Sequence, residues 1–467
     1  MTDISALPVV VIGAGPVGLA AAAQLVERNL PFVILEKSAT VAAVPKAWGH
    51  VRLFSPWRYN VDAAAARLLS GSGWQSPDPD ALPTGETLAT DYLEPLARHR
   101  SIASNLTLEA RVTGITREGL DKMASREREA SPLLVHWIDG CGTRHRTLAR
   151  AVIDASGTFD RPNPMGVDGL PVDGEEDAAD LVAYGLPDVL GRARPSYDGK
   201  RVLVVGGGHS AINVVLDLIR LKAGTPGTEV LWALRRSAIG RIEGGGLDDK
   251  LPERGALGLA ALSAIDAGNV AVLAPFAAER IERHGGGLAV TARIGGNREI
   301  LDVDRIVVAT GFRPSIDFLR EVRVALDPIV EAPPQLAPLI DPNLHSCGTV
   351  PPHGVEELAH PEPDLYIVGA KSYGRAPTFL MATGYEQVRS IVAEIAGDRK
   401  AAREVHLVLP ETGVCSATAL TSECCGGPAP DADSCCRADA DAKSADEAGC
   451  GCLSSDATVQ RCCGEVA

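Results

Sequence analysis

The stretch VVVIGAGPVG at residues 9–18 decides the fold. It places Gly13, Gly15 and Gly18 after a β-branched run, with Pro16 inside the turn and the helix-forming AAAAQLVE following. A second apolar strand, FVILEK, ends in Glu36 and Lys37. Strand, glycine turn, helix and carboxylate in that order make a dinucleotide site. The glycines allow a tight turn and close backbone approach, pyrophosphate rests on the helix N-terminus, and the acid accepts bonds from ribose hydroxyls.

The twenty uncharged residues from Leu7 to Val26 are long enough to span a membrane. Three glycines, the acidic flank MTDIS and the lack of a cleavage site instead predict a buried strand feeding a buried helix. No export signal is read, so a cytoplasmic setting with reduced thiols and no membrane partner is expected. A length of 467 residues exceeds one hydrophobic core and predicts two domains plus an extension. A net charge of −15 argues against a nucleic-acid partner, whose phosphates call for clustered Lys and Arg.

The glycine pattern recurs in RVLVVGGGHSAINVVLDL (201–218), where Gly206, Gly208 and Ala211 hold the three positions around His209 and Ser210. Its next strand, EVLWALRR, ends in Arg235 and Arg236 instead of an acid. A carboxylate repels a 2′-phosphate and guanidiniums attract one, so the expectation is FAD at the first site and NADPH at the second. Two apolar runs, AVIDASGTFDRPNP (151–164) and RIVVATGFRP (305–314), end in small residues where backbone passes close to a ligand. Ser156, Gly157, Thr310 and Gly311 are the candidates there.

On these residues the chain resembles the two-dinucleotide-binding flavoproteins over roughly positions 8–400. The resemblance implies an α/β fold with two Rossmann-like domains. The FAD domain would comprise 1–160 and 305–400, with a connection at 161–197 and an NADPH domain at 198–304. The last FAD segment would be LYIVGAKSYGRAPTFLMATGYEQVRSI (365–391), with Gly369 at its strand end. Ala370 stands where disulfide reductases of this group usually carry Asp.

Residues 1–400 hold only Cys141 and Cys347, which form no CxxC or CxxxxC pair. Dithiol chemistry in the core is therefore not expected, and a flavin reduced by NADPH would pass electrons to oxygen or an outside acceptor. The loop AWGHVRLFSPWRYN (47–60) and the segment DYLEPLA (91–97) resemble flavin-containing monooxygenases, which makes Trp48, Arg52 and Trp57 candidate flavin contacts. The FxGxxxH signature of the best-known monooxygenases is replaced by YGLPDVLGRARPSYDGKRV (184–202). No side-chain nucleophile is singled out, since orientation and a dry pocket are what such chemistry asks of the protein. His345, Cys347, His353 and His360 lie in DPNLHSCGTVPPHGVEELAH (341–360) at spacings irregular for a metal set.

From Glu411 the chain has no Phe, Trp, Tyr, Ile or Met, so 411–467 is expected to stay flexible. Its cysteines come as Cys424 with Cys425, Cys435 with Cys436, Cys450 with Cys452, and Cys462 with Cys463, with Cys415 alone. Adjacent residues lie about 3.8 Å apart at Cα, below the roughly 4.4 Å usual for a disulfide. Zinc sites favour C-x₂₋₄-C spacing, which the tail lacks. Paired soft thiolates suit a three-coordinate thiophilic centre such as arsenic(III).

With the core, this tail resembles the flavin monooxygenases of bacterial arsenic-resistance operons. The resemblance implies NADPH- and oxygen-dependent oxidation of a trivalent arsenical. Two alternatives stand beside it: a reductase passing electrons to the tail cysteines or a bound metal ion, and a metalloid-binding sink.

Overall fold

A computed structural model describes residues 3–237, 251–342, 350–377 and 379–407. The first glycine motif folds as read: β1 (Val9–Ile12), α1 (Pro16–Glu27) and β2 (Phe32–Leu35), followed by a short β3 (Leu106–Thr107). An antiparallel meander of β4 (Arg111–Arg117), β5 (Leu133–Ile138) and β6 (Arg144–Ala149) comes next, and then β7 (Ala151–Asp154). The second motif is preceded by β8 (Val182–Tyr184) and built from β9 (Arg201–Val205), α2 (His209–Gly224) and β10 (Glu229–Ala233). Helix α3 (Pro252–Asp266) and β11 (Ala271–Leu273) continue this unit. A second antiparallel meander, β12 (Phe276–His284), β13 (Gly287–Ile294) and β14 (Asn297–Val303), leads to β15 (Arg305–Val308). The chain then closes its first unit with β16 (Leu365–Ile367) and α4 (Met381–Ile395).

Two five-stranded sheets result, ordered β16-β7-β1-β2-β3 and β11-β10-β9-β15-β8, with every neighbouring pair parallel. Parallel sheets need cover on both faces, which is why β1 and β7 are apolar almost without alternation and wholly buried. Successive side chains still point to opposite sides. Val9, Val11 and Ile153 pack with α1 and α4, while Val10, Ile12 and Val152 pack against the first meander. The second sheet divides in the same way, between α2 on one face and β12–β14 on the other.

The register corrects the expected domain limits. Residues 305–308 were assigned by sequence to the returning half of the FAD domain, yet β15 pairs with β9 along its whole length. Likewise β8, expected within a connection, pairs with β15. An apolar strand records burial but not which sheet buries it, so the second domain takes in both. The chain regains the first sheet only at β16, which pairs with β7.

The two crossings between domains are bound to each other. Asn163 N–H donates to the Gly311 carbonyl (2.9 Å) and its Nδ2 to Thr310 O (3.0 Å). Thr310 Oγ1 donates to Asn163 O (2.9 Å), and Arg313 Nε donates to Asn163 Oδ1 (2.8 Å). Phe159 stacks on Phe312 at 4.8 Å between centroids. Thr310 and Gly311 thus serve as links in this brace. Among the described residues no helix is long and apolar enough to cross a membrane. The tail cysteines Cys424 through Cys463, together with His345 and Cys347, lie outside the described residues.

Candidate cofactor sites

In an open parallel sheet, ligands sit beyond the carboxyl ends of the strands, where the chain order reverses. In the first sheet that point lies between β1 and β7, and the first glycine turn occupies it. A Cβ added to Gly18 would stand 2.0 Å from the Gly13 carbonyl oxygen, so only glycine lets α1 begin so close to β1. Around Gly15, the N-cap of α1, no protein atom lies within 4 Å of an added Cβ, and Pro16 follows at the helix start. The turn is thus closed toward the protein and open outward, which fits a pyrophosphate on the helix N-terminus.

Glu36 is buried and steadies that turn. Ala14 N–H donates to its Oε2 (2.7 Å) and Ser38 N–H to its Oε1 (2.8 Å). Each oxygen keeps a further lone pair, as a ribose contact requires. Lys37 forms an ion pair with Asp160 at the surface.

The aromatic loop divides between structure and site. Trp57 is 5 % exposed and belongs to the main core, so it is a packing residue and not a surface lining. Trp48 lies over Gly85, where an added Cβ would stand 2.4 Å from the Trp48 ring. Arg52 is exposed and its backbone pairs with Thr84. Phe54, which sequence reasoning did not single out, reaches the second domain and meets the His209 ring edge-on at 5.1 Å. His209 opens α2, so this loop reaches the second nucleotide motif.

Beneath the first turn lies a buried ion pair that the sequence reading missed. Lys371 Nζ sits 2.7 Å from Asp154 Oδ2, and both side chains are wholly inaccessible. Ser156 bridges them: its hydroxyl donates to Asp154 Oδ1 (2.6 Å) and accepts from Lys371 Nζ (3.0 Å). The ammonium also lies 4.3 Å from the centre of the Phe318 ring. This cluster braces the turn 154–157, which ends in Gly157 and packs against Gly13. An acid at the end of an otherwise apolar strand, AVID, was the available signal for it.

Gly369 holds the far wall. Its N–H donates to Gln387 Oε1 (2.7 Å), and Gln387 Nε2 donates to Ser372 Oγ (3.0 Å) and approaches His353 Nε2 (2.9 Å). Because His353 Nδ1 faces the Pro351 carbonyl at 3.1 Å, Nδ1 carries the proton and Nε2 accepts. Burial lowers the His353 pKa and pushes that of His360 down to about 4. Both are neutral packing residues, and the described residues contain no group of three His, Cys, Asp or Glu able to hold a metal.

The second site repeats the first with different chemistry. Gly206 adopts φ +134°, and an added Cβ would meet the Ala309 carbonyl at 2.4 Å. Gly208 caps α2 with open space around it, while Ala211 is fully buried. Arg235 and Arg236 are exposed just past β10, where the first site has Lys37 and Ser38, and Leu234 takes the place of Glu36. Exposed guanidiniums at this strand end suit a phosphate-bearing ribose.

Comparison with known proteins agrees with this architecture. The chain is 27% identical over 361 residues to the probable indole-3-pyruvate monooxygenase YUCCA8 of Arabidopsis thaliana, covering 66% of this chain and 75% of the relative. It is 25% identical over 358 residues to YUCCA9 of the same plant, with the same shares covered. Among solved structures it superposes on bacillithiol disulfide reductase from Bacillus cereus with a TM-score of 0.61 at 18% identity, over 84% of this chain and 99% of that one. Kutzneria ornithine N-hydroxylase gives 0.57 at 19% identity, with equal shares. The sequence profile of pyridine nucleotide-disulphide oxidoreductases matches residues 7–348. By that match, and by the paired glycine cradles it spans, the chain belongs to the pyridine nucleotide-disulphide oxidoreductase family.

Proposed function

We propose that the chain is an NADPH-dependent flavin monooxygenase acting on a small, soft nucleophile. The observation that carries this reading is the pair of unlike cradles, one tipped by a carboxylate and one by two guanidiniums, with no cysteine pair among the described residues. Cys141, the one cysteine among the described residues, is exposed in the β5–β6 turn. The relatives named as monooxygenases support the same class.

FAD, when bound, supplies the redox chemistry by which two electrons from NADPH and one oxygen molecule oxygenate a substrate and form water. Everything else is binding and placement. Gly13 and Gly15 receive the FAD pyrophosphate, Gly18 lets α1 approach closely enough to present its N-terminus, Glu36 receives the ribose, and the Asp154–Ser156–Lys371 cluster holds the turn beneath. Gly206, Gly208 and Ser210 receive the NADPH pyrophosphate, with Ala211 packed beneath the turn, and Arg235 with Arg236 receive the 2′-phosphate. The laced crossings and the Phe54–His209 contact fix one cradle relative to the other. The thiol pairs of the tail support a trivalent arsenical as substrate and give the tail the role of capturing it.

Oxygen dependence tests the class. Purified full-length protein should oxidise NADPH in air, faster with a trivalent arsenical, and stop under nitrogen. Equal anaerobic turnover would overturn the reading in favour of a reductase. For the second site, the Arg235→Ala/Arg236→Ala variant should raise the KM for NADPH roughly ten-fold or more. The KM for NADH, which lacks the 2′-phosphate, should hardly change.

A further inference from the structure

The two glycine turns differ at their third position, and the structure shows what accompanies the difference. In the first, the Gly13 carbonyl lies 2.0 Å from where a Gly18 Cβ would be, so no side chain fits. The second has the same spacing and the same glycine N-cap, yet carries Ala211, fully buried, at the matching place. Here the matching carbonyl, Gly206 O, accepts a hydrogen bond from the indole Nε1 of Trp232 at 2.8 Å. Trp232 is wholly buried one residue before the end of β10, opposite Val204 of β9. Its place in the first motif is taken by Ile34, which has no donor to offer.

A trans peptide directs its C=O and N–H to opposite sides. With Gly206 C=O drawn inward to Trp232, the Gly207 N–H is turned outward. In the first turn the matching N–H, that of Ala14, is taken by Glu36. In the second, the residue at that strand position is Leu234, whose methyl lies 3.5 Å from a Cβ added to Gly207 and can accept nothing. The next two residues are Arg235 and Arg236.

We infer that Trp232 is a positioning residue of the second nucleotide site: its indole N–H holds the Gly206 carbonyl clear of the Ala211 methyl and aims the Gly207 N–H at the anionic dinucleotide. This rests on the reading of residues 206–211 as the NADPH cradle. It makes Trp232 and Ala211 a coupled pair, in which the alanine is tolerated because the tryptophan holds the carbonyl aside.

The test is calorimetric titration of the full-length protein with NADP⁺, which needs no turnover, alongside thermal unfolding and FAD content. Trp232→Phe keeps an aromatic ring but removes the donor. It should weaken NADP⁺ binding roughly ten-fold, by analogy with losing one partner of a buried hydrogen bond, and leave FAD content as it was. Adding Ala211→Gly to that variant should restore most of the affinity, because the crowding methyl is gone, without restoring whatever unfolding temperature the smaller ring has cost. Unchanged affinity in Trp232→Phe, or no recovery on adding Ala211→Gly, would overturn the role assigned to Trp232. Failure of the unsubstituted protein to bind NADP⁺ would overturn the reading of the site as well, and so is distinguishable from the first two results.

Discussion

Gly15→Ala should leave the unliganded protein as stable as before and yet strip it of FAD, whereas Gly18→Ala should damage both. The contrast follows from where each methyl would go. At Gly15 it meets no protein atom within 4 Å and therefore enters the space held for the nucleotide. At Gly18 it would press on the Gly13 carbonyl from 2.0 Å, a backbone contact that cannot rotate away. Overpacking of this kind costs about 1–3 kcal/mol. It would also shift α1 from the turn it shapes. Flavin absorbance of the purified variants and thermal unfolding of their apo forms read the two effects separately. A yellow, FAD-saturated Gly15→Ala protein would show that the first turn is not the FAD cradle.

The second large effect belongs to Lys371. Replacing it with Met leaves Asp154 buried without its cation, and breaking a buried pair in this way costs about 3–5 kcal/mol. The double variant Asp154→Asn/Lys371→Met removes both charges and should recover most of that loss, since well-packed neutral groups often replace a buried pair at little cost. Denaturant unfolding of the two variants gives the coupling directly. If the single and double variants were equally unstable, packing of the lysine stem, and not the ion pair, would be what matters.

What could be read from the sequence was whatever local pattern determines alone. Both glycine turns were legible because strand, turn, helix and strand-end charge are neighbours in the chain, and each element needs its own residue type. The strand 305–308 was legible as buried, but its sheet was not. Three apolar residues behind an arginine fit between any two covered layers, and β9 rather than β7 happens to be the partner. The loop 47–60 shows the same limit. Its aromatics are equally suited to lining a flavin or filling a core, and the fold sends Trp57 inward and Phe54 across to His209.

Long-range charge pairs were invisible for a related reason. Lys371 and Asp154 lie far apart in sequence, so neither residue announces the other, and a lysine after Gly-Ala reads as an exposed loop. His353 was read as one of four irregularly spaced loop residues. Its place between Pro351 and Gln387 follows from how α4 packs beneath Gly369, which no spacing rule encodes.

The brace between the crossings has a consequence for how the chain is put together. Pro162 pairs directly with Phe312, so the strand leaving the first sheet and the strand returning to it run side by side. The whole second domain therefore hangs from a single stem whose two ends touch. Exchange of this segment for that of another protein should therefore leave the strand order of the host sheet unchanged and, on the reading of residues 206–211 as the NADPH cradle, should carry the preference for NADPH over NADH with it, which the KM values of the chimaera would check.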